Sequence, residues 1–431
     1  MTVWCERLIL DGIVHESVRL VAGPDGHVSA FAVGEDPHSG DVMIGTALPG
    51  AANAHSHAFH RALRGRTHDH GGDFWTWRAL MYRTAALLTP ERYGRLARAV
   101  FAEMLSTGYT AVGEFHYVHH RPDGRPYPHE MELAIADAAA DVGIRLTLLD
   151  TAYLNGGIGE PLSAAQKRFG DGTAEAFLSR WHELAALVPG LGAAIHSVRG
   201  VAPADIRTIV EGLPPDVPLH VHLSEQPKEN ADSLAVYGAT PTRVLAREGM
   251  LGPRASVVHA THLTADDIDA LGAAGVTVVM CPTTEGDLGD GIGPARELLD
   301  AGAALAIGSD QNAVVDPFLE TRGLEMQERL RSLRRGRFTM AELGAAMSES
   351  GYRSLGHPAP LTVGGPLDLI EIDTRSARTI GAEPAQLVLC ATASDIRRVV
   401  VGGRVVAEEA ALADGRRPED MLADAIAEVT T

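Results

Sequence analysis

The sequence predicts an α/β fold: a closed (β/α)8 TIM-like barrel with a small β-sandwich built from both chain ends. Three observations predict it. Short apolar runs alternate with amphipathic segments from about residue 48 to 335, an order that calls for parallel strands joined by helices. The runs number about eight, the count that closes such a barrel. Histidines and acids gather where the runs end, and a barrel collects its reacting groups at that mouth. A doubly wound open sheet is the alternative topology; the count and the polar strand ends favour closure.

Residues 1–48 hold short β-type runs, "RLILDGIVH", "VRLVAG" and "HVSAFAVG", and form the first part of the sandwich. The barrel is expected over 49–357. Its first strand leads into "NAHSHAFHRAL" (53–63). The others are "AVGEFHYV" (111–118), "IRLTLLDTAY" (144–153), "GLGAAIHSV" (190–198), "PLHVHLSE" (218–225), "ASVVHATHL" (255–263), "GVTVVMCPT" (275–283) and "ALAIGSDQN" (304–312). Each is rich in Val, Ile, Leu, Ala or Thr and ends in polar residues. Between them lie helical segments over 89–108, 129–143, 172–188, 202–213, 264–275 and 293–302. The first has Pro at an N1-like position and Gly at its end. Thr264 is a natural N-cap, with Asp266 and Asp267 in the first turn. Residues 358–431 return to β patterning in "LDLIEIDT" (367–374) and "RRVVVGGRVVAEE" (397–409), where the glycine pair marks a hairpin. Neither flank is long enough for an independent domain, so the two are expected to pair beside the barrel.

Composition narrows the function. The chain has 431 residues, 45% hydrophobic and 22% charged, with ample material for a core. Its net charge of −19 lacks the basic footprint that nucleic acid or an acidic membrane surface needs. A small anionic substrate would need local cations. The three cysteines, Cys5, Cys281 and Cys390, form no CxxC pair and suit a reducing cytoplasm. The N-terminus lacks a basic n-region and is not a signal peptide.

Residues i and i+2 of a strand point the same way. His55 and His57 therefore present two imidazoles on one face at the end of the first barrel strand. The fifth strand offers His220, His222 and Glu225, the sixth His259 and His262, and the eighth Asp310. Histidines with one carboxylate suit Zn²⁺ with an open position for water, whose pKa falls to about 7 on the ion. Iron or manganese accept the same donors. His220, one pair deeper than His222, is expected in the core, and His262 in a loop hydrogen bond. His68, His70, His119, His120 and His129 are expected in solvated or loop positions.

"LPGAANAHSHAFHR", "HLSEQ", "VHATH" and "GSDQN" together resemble the amidohydrolase superfamily over the whole chain, flanks included. The HxH, HxxE, H and D pattern is similar to its deaminase branch, which uses one metal. The fourth strand, "GLGAAIHSVRG", lacks the lysine that bridges two metals in the other branch. The resemblance implies His55, His57, His222 and Asp310 as zinc ligands, Glu225 as proton shuttle, and His259 as the group that polarises the hydroxide. Asp310 would also hydrogen-bond the attacking oxygen. A homodimer is implied by resemblance alone.

A narrower resemblance rests on "HSHAFHRALRG", "DFWTWRALMYR", "GEFHYVHH", "APADIR", "LHVHLSEQPKEN" and "CPTTEGDLGDG". These are similar to the N-formimino-L-glutamate deiminases of histidine degradation, which hydrolyse a C=NH group to formyl with loss of ammonia. The resemblance implies Arg78 and Arg199 on the substrate carboxylates, where a guanidinium can bind bidentately. It implies Tyr117 and His60 as further contacts. His60 departs from the family pattern, which has Gln there. That departure bears on substrate length, and leaves open a nucleobase-like or other formimino substrate. Trp75 and Trp77 are expected to shape the pocket. The glycine-containing segment 64–75 is the expected lid.

Overall fold

A computed structural model describes residues 1–67 and 74–430, with only the backbone of 74–76. Among the described residues the strands are β1 (Thr2–Leu10), β2 (Ile13–Ala22), β3 (Val28–Val33), β4 (Val42–Pro49), β5 (Ala51–Ser56), β6 (Tyr109–His116), β7 (Arg145–Ala152), β8 (Gly192–Ile195), β9 (Leu219–Leu223), β10 (Ala255–His259), β11 (Thr277–Met280), β12 (Ala304–Ile307), β13 (Leu369–Ile372), β14 (Ile396–Val401), β15 (Arg404–Glu408) and β16 (Ala411–Leu412).

Strands β5 to β12 pair in sequence order, all in parallel. The ring closes where Ser56 bridges Asp310, again in parallel. Every residue of β5, β6 and β9 is buried. Parallel strands walled by helices on one side and filled by side chains on the other leave no solvated face. Helix starts follow local chemistry. Thr89, Thr173, Thr240, Thr264 and Thr339 each accept a backbone amide of the first turn, satisfying a donor the helix leaves orphaned. Thr264 and Asp267 form a reciprocal capping box.

The chain ends pair as expected. β1 to β4 and β13 to β16 form one eight-stranded sheet in the order β16-β15-β14-β13-β4-β1-β2-β3. All its pairings are antiparallel except β1 with β4. Val3, Cys5, Val18, Leu20 and Ile44 from one end share a core with Leu367, Leu369 and Val400 from the other. Ile370, Ile372 and Val399 face the other way and join the barrel's core.

The strands are shorter than their apolar runs. β11 stops at Met280, and Pro282 opens a helix, Pro282–Leu288, inside the segment read as strand. Proline lacks the amide a ladder needs, but fits the first helical turn. The expected lid lies largely outside the described residues, as do His68, His70 and the Trp75 side chain. Among the described residues, no helix is long and apolar enough to cross a membrane.

Candidate active site at the carboxyl ends of the strands

His55 and His57 leave β5 on the same face and are buried with Asp310, at the barrel seam. The seam is tight. A Cβ on Gly308 would lie 2.8 Å from the His55 carbonyl oxygen and 2.9 Å from the His55 Cβ. Asn53 locks both sides of it: its amide donates to Ser309 Oγ at 2.6 Å and its carbonyl accepts the Ser309 amide at 2.9 Å. Asn312 donates to the His57 carbonyl at 3.0 Å. Ser224, His259, Ala260, Asp310 and Asn312 all take left-handed backbone angles, φ between 44° and 71°. Such conformations cost on the order of 1–3 kcal/mol each and persist where surrounding structure holds them.

Four donors converge. His222 Nε2 lies 3.1 Å from His55 Nε2. Asp310 Oδ1 lies 3.4 Å from His55 Nε2 and 3.5 Å from His57 Nε2. The Nδ1 of His57 faces the Phe115 carbonyl at 2.9 Å, and that of His222 faces the His196 carbonyl at 2.9 Å. A carbonyl only accepts, so each Nδ1 carries the proton and each Nε2 presents a lone pair inward. Burial pushes all three imidazoles down, with neighbouring imidazoles adding to it: His57 to about 3, His55 and His222 well below the ordinary histidine range. They are neutral at neutral pH, the state that binds a metal. The inward lone pairs of His57 and His222 beside the Asp310 carboxylate repel, and a divalent cation between them would remove that repulsion. The donor set therefore fits such an ion.

His259 stands beside this cluster. Its Nε2 is 3.7 Å from Asp310 Oδ2 and 3.9 Å from Glu225 Oε1, and its Nδ1 is 3.4 Å from Glu285 Oε1. Burial opposes its protonation, but Glu285, Glu225 and Asp310 outweigh it and raise its pKa to about 10. Glu285 is itself held by the Cys281 amide at 2.9 Å.

The cluster opens into a cavity of about 430 Å³ lined by His60, Arg78, Tyr117, Tyr153, His196 and Arg199, among others. Arg78 donates to Tyr82 at 2.5 Å and to Tyr153 at 3.3 Å. Tyr117 Oη is 3.0 Å from His60 Nε2, and the His60 ring meets Trp77 edge-on. Arg199 donates to Glu225 at 3.0 Å. All ten site side chains singled out in the sequence thus lie around one space or its metal end.

His220 lies outside it, donating to the Ser354 carbonyl in the core. His262 bonds the Asp290 carbonyl at 2.8 Å, the loop role expected of it. His119 and His120 lie in the loop after β6, as one half of their expectation had it, but are buried rather than solvated. His119 faces Glu132 at 2.8 Å and the Thr151 carbonyl at 2.9 Å, and His120 faces Asp171. Arg180 supplies the positive charge of this network through Asp150 at 2.9 Å and Asp171 at 2.7 Å. Sequence reasoning also missed His196, Glu229 and Glu285. His196 follows β8 by one residue, and that strand-end position was the available signal.

A closed parallel barrel with imidazoles and carboxylates converging at the carboxyl ends of its strands is the build of a barrel metallohydrolase. Comparison with known proteins narrows the class. Residues 46–406 match the amidohydrolase family. Formimidoylglutamate deiminase from Pseudomonas aeruginosa is 36% identical over 429 residues, covering 94% of each chain. The crystal structure of an amidohydrolase from Brucella melitensis is 30% identical and superimposes over the whole of both chains with a TM-score of 0.92. An adenosine deaminase from Xanthomonas campestris, solved with bound zinc, is 24% identical with a TM-score of 0.84 over 99% of this chain and 97% of its own. The chain belongs to the amidohydrolase family, and is a hydrolase acting on C–N bonds.

Proposed function

We propose that the chain hydrolyses N-formimino-L-glutamate to N-formyl-L-glutamate and ammonia, with one zinc ion on His55, His57, His222 and Asp310. The observation that carries this reading is the cavity: two arginines, Arg78 and Arg199, line the same space as His57, His222 and Asp310. Two guanidiniums facing one cavity match the two carboxylates of a dicarboxylate, which an uncharged heterocycle lacks. The 36% identity to a formimidoylglutamate deiminase supports the same substrate.

Held by those four side chains, the ion would supply a water of pKa lowered to about 7 as the nucleophile at neutral pH. Glu225 would accept a proton from the attacking water and deliver one to the departing nitrogen. Asp310 and His259 flank the attacked carbon, and His259 donates to the oxygen that gains charge. Glu285 keeps His259 oriented. The carboxylate nearer the amidine reaches Arg199, beside Glu225, and the farther one reaches Arg78. Tyr117, held by His60, closes the wall between β6 and the loop after β5.

A coupled ammonia assay tests this on protein of measured metal content. N-formimino-L-glutamate should turn over well ahead of N-formimino-L-aspartate and of a nucleobase panel. Absence of ammonia from formimino-glutamate at full metal occupancy would exclude the reading.

A further inference from the structure

Arg199 is shared by two carboxylates. Its Nη2 donates to Glu225 Oε2 at 3.0 Å, and its Nε faces Glu229 Oε2 at 3.4 Å. The side chains are deeply placed: 17% exposed for Arg199, 8% for Glu225 and 0% for Glu229. Glu229 sits in the first turn of the helix Pro227–Tyr237, one turn on from Glu225. Ser197 Oγ accepts the Arg199 amide at 3.2 Å and fixes the loop that carries the arginine. A guanidinium offers donors on two edges in a rigid plane. Here the Nε edge donates to Ser197 Oγ at 3.4 Å and is turned to Glu229 as an ion pair, and an Nη nitrogen is turned to Glu225.

The other Glu225 oxygen looks toward the chemistry, 3.9 Å from His259 Nε2. A proton shuttle must serve two places in turn, the water and the leaving nitrogen. A carboxylate gripped at one oxygen by a guanidinium is held in one orientation and has half its charge engaged. An incoming carboxylate has the shape and charge of the group it would replace, so exchange leaves the buried guanidinium paired throughout.

We propose that Arg199 is a carboxylate-responsive latch on Glu225, anchored by Glu229: the substrate carboxylate nearer the amidine replaces Glu225 on the Nη edge and frees Glu225 to carry a proton. The proposal rests on the reading of the substrate as an acyclic acid. Glu229 acts through Arg199 and is a positioning residue. The latch makes the acid group a condition of the chemical step, so a neutral amidine meets an enzyme whose shuttle is still held. The reaction is unchanged: water adds its oxygen to the amidine carbon, the bond to the terminal nitrogen breaks, and the nitrogen leaves as ammonia with the transferred protons.

The test compares wild type, Arg199→Ala, Glu229→Gln and Glu229→Asp at matched metal content. The substrates are N-formimino-L-glutamate and N-butylformamidine, which keeps the amidine and has no carboxylate. Arg199→Ala should lose about 10²-fold in kcat/KM on the acid and gain several-fold on the neutral amidine. Glu229→Gln should raise KM for the acid roughly tenfold with kcat within about twofold, and Glu229→Asp should recover most of that loss. Neutral turnover by Arg199→Ala no faster than by wild type, detectable or not, overturns the latch. Glu229→Gln lowering kcat equally on both substrates makes Glu229 merely structural, and this pair decides the matter if Arg199→Ala does not fold. Wild type inactive on formimino-glutamate while Arg199→Ala still speeds the neutral amidine removes the substrate and keeps the latch for another acid.

Discussion

The amide of Asp310 donates to the carbonyl of His55 at 3.0 Å, and the Asp310 carbonyl accepts the amide of His57 at 2.9 Å. The backbone bonds that close the barrel are thus made by the residues whose side chains form the candidate metal site. Seam and site are one structure. Any change that opens the seam moves the donors apart, and a change at the donors is felt in the fold.

Gly308→Ala tests that identity directly. The added methyl has no room between the His55 carbonyl, the His55 Cβ and Cys281 Sγ at 3.1 Å. Backbone on one side leaves the seam to give way, at a cost of about 1–3 kcal/mol for overpacking. The variant should lose metal content and melting temperature together. Full metal content at an unchanged melting temperature would show that seam and site are separable.

Removing the metal should cost stability as well as activity. A ligand that binds only the folded chain adds about 4 kcal/mol at a thousand times its dissociation constant. Here it would also bridge His55 to His222 and to Asp310, whose donor atoms stand 3.1 Å and 3.4 Å from His55 Nε2. Dialysis against a chelator should lower the melting temperature by several degrees, and zinc should restore it with turnover. A chelated protein that melts where the metal-loaded one does would count against the ligand set.

Much of this was legible because strand ends are where sequence pattern and chemistry coincide. His55 and His57 declare a shared face by their spacing, and Glu225 follows its ligand strand at a readable distance. Asn53 and Ser309 were not legible as partners, because the seam that joins residues 256 apart exists only once the ring closes. Glu285 lay two residues past the run read as strand (275–283) with no pattern of its own, and the helix that Pro282 opens brings it to His259. The burial of His119 and His120 depends on Glu132, Asp150, Asp171 and Arg180 arriving from two helices, a strand and a loop. No local pattern announces that meeting.

Glu320 gives a pH signature away from the site. It accepts the Thr283 amide at 3.0 Å, and burial raises its pKa from 4.5 to about 8 against those hydrogen bonds. The folded state then holds a proton that the unfolded chain releases near pH 4.5. Stability from this group is present below about pH 4.5 and falls as pH rises to about 8. Glu320→Gln, neutral throughout, should flatten the fall in melting temperature over that range. An unchanged pH profile would show that Glu320 is ionised in the fold.

Glu225→Gln separates the shuttle from the site that surrounds it. Glu225 is no nearer than 3.9 Å to His259 and is absent from the close contacts among the four donors. The amide is isosteric and can still accept from Arg199, so fold and metal content should hold. It cannot take up a proton at neutral pH, and turnover should fall by a factor of about 10² or more. Asp310→Asn makes the contrast, because it removes an anionic donor at 3.4 Å from His55 and should lower metal retention and rate together. Ammonia release and metal content measured on the same preparations decide both. A fully active Glu225→Gln would move the proton transfer to another group, and His259, the next titratable side chain toward Asp310, would be the one to change next.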